Sequence, residues 1–213
     1  MALTENQARE AIVATAGSLY ARGLTHGSTG NISIRLGDRW LVTPTGSSFG
    51  SLDPARISLL DDEGRLLAGD PASKEAFLHR TMYRERESAG AVVHLHSIHS
   101  VAASVLADVD PADVLPPLTA YYVMRIGSLP LVPYYPPGDN RLADAVAGFA
   151  GRHHALLLAN HGPVVAGSSL AAATDAIEEL EATARLFIML RGQPCRCLDH
   201  DQVAELRSRF PIK

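Results

Sequence analysis

Three apolar residues, Ala91-Val92-Val93, run directly into His94-Leu95-His96-Ser97. A short apolar run ending in two alternating polar positions predicts a buried β-strand. The two-residue period of a strand sends imidazoles at i and i+2 to the same face. Two readings follow. The pair can ligate a divalent ion, which takes neutral imidazole nitrogens at about 2.0–2.1 Å. It can equally be two hydrogen-bonded histidines at a sheet margin. A third ligand and groups able to hold a substrate, elsewhere in the chain, would decide for the metal.

The chain has 213 residues, enough for one well-buried α/β domain and short for two, so residues 1–213 are expected to form a single domain. Hydrophobic residues at 46% and charged residues at 20% leave no long segment too polar to fold. The 19 basic and 23 acidic residues are interspersed and sum to −4, which argues against nucleic acid or an anionic membrane surface as partner. A small-molecule partner is expected. Met1-Ala2-Leu3-Thr4-Glu5-Asn6 lacks a basic region followed by an apolar one, and no apolar run reaches membrane-spanning length. A cytoplasmic protein is expected. Cys195 and Cys197 are too close in sequence for an ordinary disulfide, which suits a reducing compartment.

Thr4 is placed to cap a first helix through Ile12 and Leu19 that stops at Gly23. His26-Gly27-Ser28-Thr29-Gly30-Asn31 is a small-residue loop able to bring backbone N–H groups, hydroxyls and an amide to an anion. It leads into a predicted hairpin over residues 31 to 43, turning at Gly37-Asp38, and a second small-residue loop, Thr43-Pro44-Thr45-Gly46-Ser47-Ser48. Residues 57–60 and 65–67 read as another hairpin. Ser73 is predicted to cap a helix over residues 74–83, putting Glu75 in its first turn, where it is a favourable charge for the helix dipole or a carboxylate aimed into a pocket. Ser97 is predicted to cap a helix through Val101 and Val105, with His99 structural. Residues 118–122 fit either a strand or irregular structure. Arg125 is the one cation between Val114 and Asn140 and so a candidate for an anionic group. Residues 129–134 read as an edge strand, broken by Pro136-Pro137-Gly138-Asp139 before a helix from Asn140 to Gly151. The buried-strand pattern 154–159 ends in Asn160-His161-Gly162-Pro163, a histidine at a strand end followed by residues expected to stop the strand. His161 is the third candidate ligand. A long amphipathic helix over residues 169–191 and a short one over 199–208 complete the chain.

Taken in order, Gly30-Asn31-Ile32-Ser33, Thr43-Pro44-Thr45-Gly46, Ser73-Lys74-Glu75, His94-Leu95-His96 and Asn160-His161-Gly162 resemble the class II aldolase/adducin family over about residues 5 to 191. The resemblance implies an α/β fold, a three-layer αβα arrangement around a central, mostly antiparallel sheet. It implies a zinc site and a fourfold-symmetric homotetramer with active sites at subunit interfaces. By position, His94, His96 and His161 would ligate the metal. Asn31, Thr45, Gly46 and Ser73 would hold a substrate phosphate, and Glu75 would be the catalytic acid/base. Aldolases of the fuculose-phosphate type carry a second serine where Lys74 stands, and their tyrosine that helps the aldehyde leave has only Tyr121 and Tyr122 as nearby candidates. The Ser73-Lys74-Glu75 variant and the run Asp113 to Tyr121 look most like the 3-oxo-tetronate 4-phosphate decarboxylases of the family.

That resemblance implies a lyase of acid-sugar catabolism whose partner is a phosphorylated four-carbon acid sugar. Its expected reaction is decarboxylation to dihydroxyacetone phosphate and CO2 through a metal-stabilised enediolate. Lys74 would add positive charge beside the phosphate. An aldolase cleaving a ketose 1-phosphate to dihydroxyacetone phosphate and an aldehyde is the alternative, since it passes through the same intermediate. A pentulose-phosphate 4-epimerase is a third reading, and a catalytically silent module predicts broken metal ligands, whereas all three histidines and Glu75 stand.

Overall fold

The apolar run that ends in the histidine pair forms β5 (Ala91–His94), the middle of an eight-stranded sheet. The computed structural model describes residues 3–136 and 138–212. The parts of the N-terminal and Pro136-to-Asp139 readings that fall on Met1, Ala2 and Pro137 lie outside the described residues.

On one side of β5 are β1 (Asn31–Leu36), β2 (Arg39–Val42), β3 (Ser58–Asp61) and the edge strand β4 (Leu66–Ala68). On the other are β8 (Gly162–Gly167), β7 (Ala155–Leu158) and the edge strand β6 (Leu131–Val132). All neighbours pair antiparallel except β6 and β7. The sheet is covered on both faces, which is why its central strands read as unbroken apolar runs. Alternation sorts their side chains. Val93, Leu157 and Val165 pack beneath α1 (Glu5–Ala21), α3 (Ile98–Ser104), α4 (Ala120–Arg125) and α6 (Leu170–Met189), with Ile12, Leu19, Ile177 and Leu180. Val92, Leu156 and Val164 face the other way, toward α2 (Ala76–Glu85) and α5 (Arg141–Ala150), with Leu78, Met82 and Val146. The expected three-layer αβα architecture with a mostly antiparallel sheet is therefore present. None of the helices among the described residues is long and apolar enough to cross a membrane.

Three local expectations are corrected. The helix expected over residues 74–83 begins at Ala76, with Glu75 rather than Ser73 at its N-cap position; the Ser73 hydroxyl instead accepts the Glu75 backbone N–H at 3.2 Å. Ser97 precedes α3 but makes no side-chain capping bond there. Residues 118–122 are neither strand nor wholly irregular: Thr119 accepts the Tyr122 N–H and opens α4. As expected, the strand β7 stops before Gly162-Pro163, and these two residues open β8, where Pro163, lacking an N–H, sits opposite Leu157 and uses its carbonyl to accept Leu95 N–H at 3.2 Å. The last helix, α7 (His200–Arg209), opens with an Asp199–Gln202 capping box as its sequence pattern requires. Cys195 and Cys197 are both exposed and free.

Candidate metal centre and its surroundings

β5 and β7 run in the same direction, each antiparallel to β8 between them, so their C-terminal ends lie at one end of the sheet. His94 ends β5, His96 lies two residues beyond it, and His161 sits in the turn joining β7 to β8. That turn is tight because Asn160 takes φ 57°, a left-handed conformation asparagine tolerates better than most residues. Gly162 follows under an absolute constraint: a Cβ there would stand 2.2 Å from the Leu95 carbonyl oxygen. Close approach of this turn to the Leu95-His96 backbone is what carries His161 to the histidine pair.

The three imidazoles converge through their Nε2 atoms, with His96 3.1 Å from both His94 and His161. The rings meet edge to face, with centroids 4.6–4.9 Å apart. Glu75 completes the group, with Oε1 3.0 Å from His161 Nε2 and Oε2 3.5 Å from His94 Nε2. Three nitrogens held by one ion at about 2.0–2.1 Å would be separated by roughly 3 Å, so the spacing fits a divalent metal without rearrangement. The tautomers fit as well. His94 Nδ1 lies 2.8 Å from the Pro163 carbonyl, which can only accept, so the proton is on Nδ1 and Nε2 presents a lone pair inward.

Electrostatics keep the ligands in their metal-binding forms. Burial, then the neighbouring His94 and His161, pushes the His96 pKa down to about 3. Burial also lowers that of His94. Burial alone would raise the Glu75 pKa, but His94, His161 and the Asn31 amide outweigh it and hold the carboxyl well below its usual range. Burial that disfavours charge on His94 and His96, beside a carboxylate held ionised, suits a cation at this point.

Behind Glu75 runs a buried chain of hydrogen bonds. Asn31 Nδ2 donates to Glu75 Oε2 at 2.7 Å, and Asn31 Oδ1 bonds to His79 Nε2. Because that oxygen can only accept, His79 carries its proton on Nε2 and accepts the Ser33 hydroxyl at Nδ1, 2.7 Å away. Ser33 Oγ in turn accepts from the Tyr83 hydroxyl at 2.7 Å. These links run through a neutral His79, and burial pushes its pKa down to about 3. The unfolded chain binds a proton at His79 below about pH 6.5 whereas the folded chain resists until about 3, so stability falls as pH falls through that window. At pH 5 this one group should subtract about 2 kcal/mol from the stability present at neutral pH. Urea unfolding between pH 7 and pH 4.5 should show a shallower decline for His79→Gln than for the unaltered chain.

A second buried carboxylate braces the His96 side of the site. Glu181, on α6, is 6% exposed. Its Oε1 accepts the His99 N–H at 3.0 Å and its Oε2 the Ser100 N–H and hydroxyl at 2.9 and 2.7 Å. His99 Nδ1 adds a contact at 2.8 Å. Glu181 thus caps α3 from another helix, replacing the absent Ser97 cap, and fixes the start of the helix that follows His96. Burial works to raise its pKa, but these bonds from Ser100 and His99 bring it below the usual value. Glu181→Ala should lower unfolding stability by about 2–4 kcal/mol in urea titrations, since buried N–H groups lose their acceptor.

The cavity over the imidazoles is lined by Glu75, His96 and His161, and also by His26, Asn160, Tyr134 and Tyr135, with Ile98 and Val101 as apolar wall. His26, Tyr134 and Tyr135 carry no spacing signal in the sequence. The loops expected to hold phosphate are tied together by Ser73 N–H to the Thr43 carbonyl at 3.2 Å and Thr45 N–H to the Pro71 carbonyl at 2.9 Å. Thr45 and Gly46 nevertheless line a separate cavity of about 300 Å³ with Ser47, Ser48 and Arg56. Lys74 is exposed. Asn31 spends one amide N–H on Glu75 and retains the other. Arg125 pairs with Asp175 at 3.0 Å, Tyr121 is exposed, and Tyr122 is buried with its hydroxyl donating to Asp113 at 3.3 Å.

The profile of the Class II Aldolase and Adducin N-terminal domain matches residues 10–188. The 3-oxo-tetronate 4-phosphate decarboxylase of Escherichia coli strain K12 is 48% identical over 208 residues, 97% of this chain and 98% of that protein. The L-fuculose phosphate aldolase of the same strain is 30% identical over 98% of this chain and 96% of its own length. The crystal structure of YgbL from Klebsiella pneumoniae superimposes with a TM-score of 0.94 at 48% identity, covering 97% of this chain and all of that one. Profile, relatives and fold converge with the His94, His96, His161 and Glu75 cluster on one conclusion: the chain belongs to the class II aldolase and adducin N-terminal domain family.

Proposed function

We propose that this chain decarboxylates a 3-oxo-tetronate 4-phosphate to dihydroxyacetone phosphate and CO2. The observation that carries the reading is the cluster of three Nε2 atoms, with that of His96 3.1 Å from each of the other two, facing Glu75, in a chain 48% identical to a decarboxylase of that name. His94, His96 and His161 would hold the divalent ion, most suitably zinc, for which three imidazoles and a carboxylate are a common donor set. Bound there, the ion supplies Lewis-acid polarisation of the substrate ketone.

The remaining work falls to the chain. Thr45, Gly46, Ser73 and Lys74, with the spare Asn31 N–H, bind the phosphate and use its binding energy to hold the reacting carbons over the imidazoles. The bond between the carboxylate carbon and the neighbouring carbon breaks, CO2 departs, and its electron pair passes into the ketone as an enediolate. The apolar side chains of Ile98 and Val101 line the same cavity. Glu75, aimed by Asn31, relays a proton from water to the carbon that lost CO2, so each turnover takes up one proton. A homotetramer with neighbouring subunits completing the pockets is part of this reading.

The test is formation of CO2 and dihydroxyacetone phosphate from 3-oxo-tetronate 4-phosphate, with and without a chelator, alongside metal analysis and light scattering. Equal amounts of both products, lost with chelator, are expected. Aldehyde release from a ketose 1-phosphate without CO2 from the oxo acid would assign the chain to the aldolases instead.

A further inference from the structure

A cavity of about 280 Å³ opens where β5 and β7 begin, at the sheet end opposite the imidazoles. Its charged lining is all basic: Arg86 after α2, Arg152, His153 and His154 before β7, and Arg207 on α7. No carboxylate lines it among the described residues. Backbone carbonyls aim the guanidinium groups. Arg86 donates to Ala150 O at 3.1 Å, Arg152 to Gly148 O at 3.3 Å and Arg207 to Gly127 O at 3.0 Å. A carbonyl bond uses one of the five donors of a guanidinium, and Arg152 and Arg207 make no ion pair among the described residues. Asp113, the acid whose charge reaches His153 and Arg207, is itself engaged, accepting Leu129 N–H at 2.9 Å and the Tyr122 hydroxyl at 3.3 Å.

His154 gives a second and independent sign. It is 9% exposed, and its Nδ1 donates to the Ala166 carbonyl at 3.0 Å. Its Nε2 is buried without a hydrogen-bond partner. Burial lowers the pKa of the ring, which keeps it neutral, so Nε2 is an unmatched lone pair. The carbonyls of Arg125 and Ile126 near the ring can only accept and cannot satisfy it. A buried acceptor of this kind calls for a hydroxyl.

We propose that this cavity binds a small hydroxylated phosphate monoester, its dianion held by Arg152 and Arg207 and a hydroxyl turned toward His154. Two guanidinium groups match a dianion better than a monocarboxylate, and their planar forks suit phosphate oxygens. The volume admits a small metabolite, and Ile126 and Phe210 offer apolar wall for its carbons. The ligand would also join α7, which has no buried residue of its own, to the turn before β7.

Isothermal titration of the whole protein with glycerol 3-phosphate tests this, repeated with Arg152→Ser/Arg207→Ser, with Ser73→Ala and with His154→Phe. Both arginines are exposed, so the double variant should keep its circular dichroism spectrum and unliganded turnover. Support is a class of binding weakened at least tenfold in the double variant, kept in Ser73→Ala, and stronger for glycerol 3-phosphate than for methyl phosphate. His154→Phe should erase that last preference. Binding identical in wild type and double variant, or lost in Ser73→Ala alone, overturns the proposal by assigning the anion to the catalytic loops. A smaller assembly mass for the double variant in light scattering overturns it by making the face a contact between copies.

Discussion

Glu75→Gln is expected to keep its metal and lose its turnover. Glutamine fills the same volume, and its carbonyl oxygen can still accept the Asn31 N–H that now donates to the carboxylate at 2.7 Å. The three Nε2 atoms remain in place, since their arrangement rests on the Pro163 carbonyl, the β7–β8 turn and the Glu181 brace rather than on Glu75. What disappears is the group proposed to move a proton. General acid–base catalysis by a positioned side chain is worth about 10²–10⁴ in rate, so kcat for CO2 release should fall by that range. Metal content, measured by mass spectrometry on the same preparation, should stay within a few-fold of the unaltered protein. An amide in this position also removes the negative charge that attracts a cation, so a modest loss of affinity is consistent. Turnover within tenfold of wild type at equal metal content would remove Glu75 from the reaction.

Local patterns in the sequence reach some parts of this arrangement and not others. The His94-Leu95-His96 alternation places two rings on one face because strand geometry is local, and the structure continues that alternation one step past the strand end. The convergence of His161 is not local. It depends on β8 lying between β5 and β7, and on the absence of a Cβ at Gly162, which no spacing rule conveys. Glu75 illustrates a subtler limit. The pattern around Ser73 is that of an N-cap, which puts Glu75 in the first turn as either a favourable charge for the helix dipole or a carboxylate aimed into a pocket. The helix instead starts one residue after Glu75, because the carboxylate is drawn to His161 and Asn31. The chain from Tyr83 through Ser33 and His79 to Asn31 joins residues up to 50 positions apart; Asn31 stands out in the sequence as a candidate for the substrate phosphate, but nothing there links it to His79 or Tyr83. Tertiary polar networks of this kind are specified by which strands become neighbours, here β1 beside β5, and become readable only once that pairing is known.

His96→Ala is the most informative change to the metal centre. His94 is fully buried and its Nδ1 bond to Pro163 belongs to the sheet, so removing it would disturb the fold as well as the site. His96 lies on the rim, half-buried, beyond the end of β5. Its loss leaves two nitrogens and Glu75. Disturbing groups that merely orient ligands typically costs 10- to 100-fold in affinity, so removing a ligand should weaken metal binding by at least about a hundredfold and abolish turnover. The metal-free protein should behave in the opposite way. Burial and two neighbouring imidazoles push the His96 pKa down to about 3, which measures how poorly this position accommodates a charged ring. Thermal melts of chelator-treated protein should therefore show His96→Ala as stable as wild type, or slightly more so, while melts with added zinc should show stabilisation of wild type alone. Equal stabilisation of both by zinc would mean that the ion binds elsewhere. A marked loss of stability in the metal-free variant would mean that His96 holds the fold together and is not a ligand kept at the fold's expense.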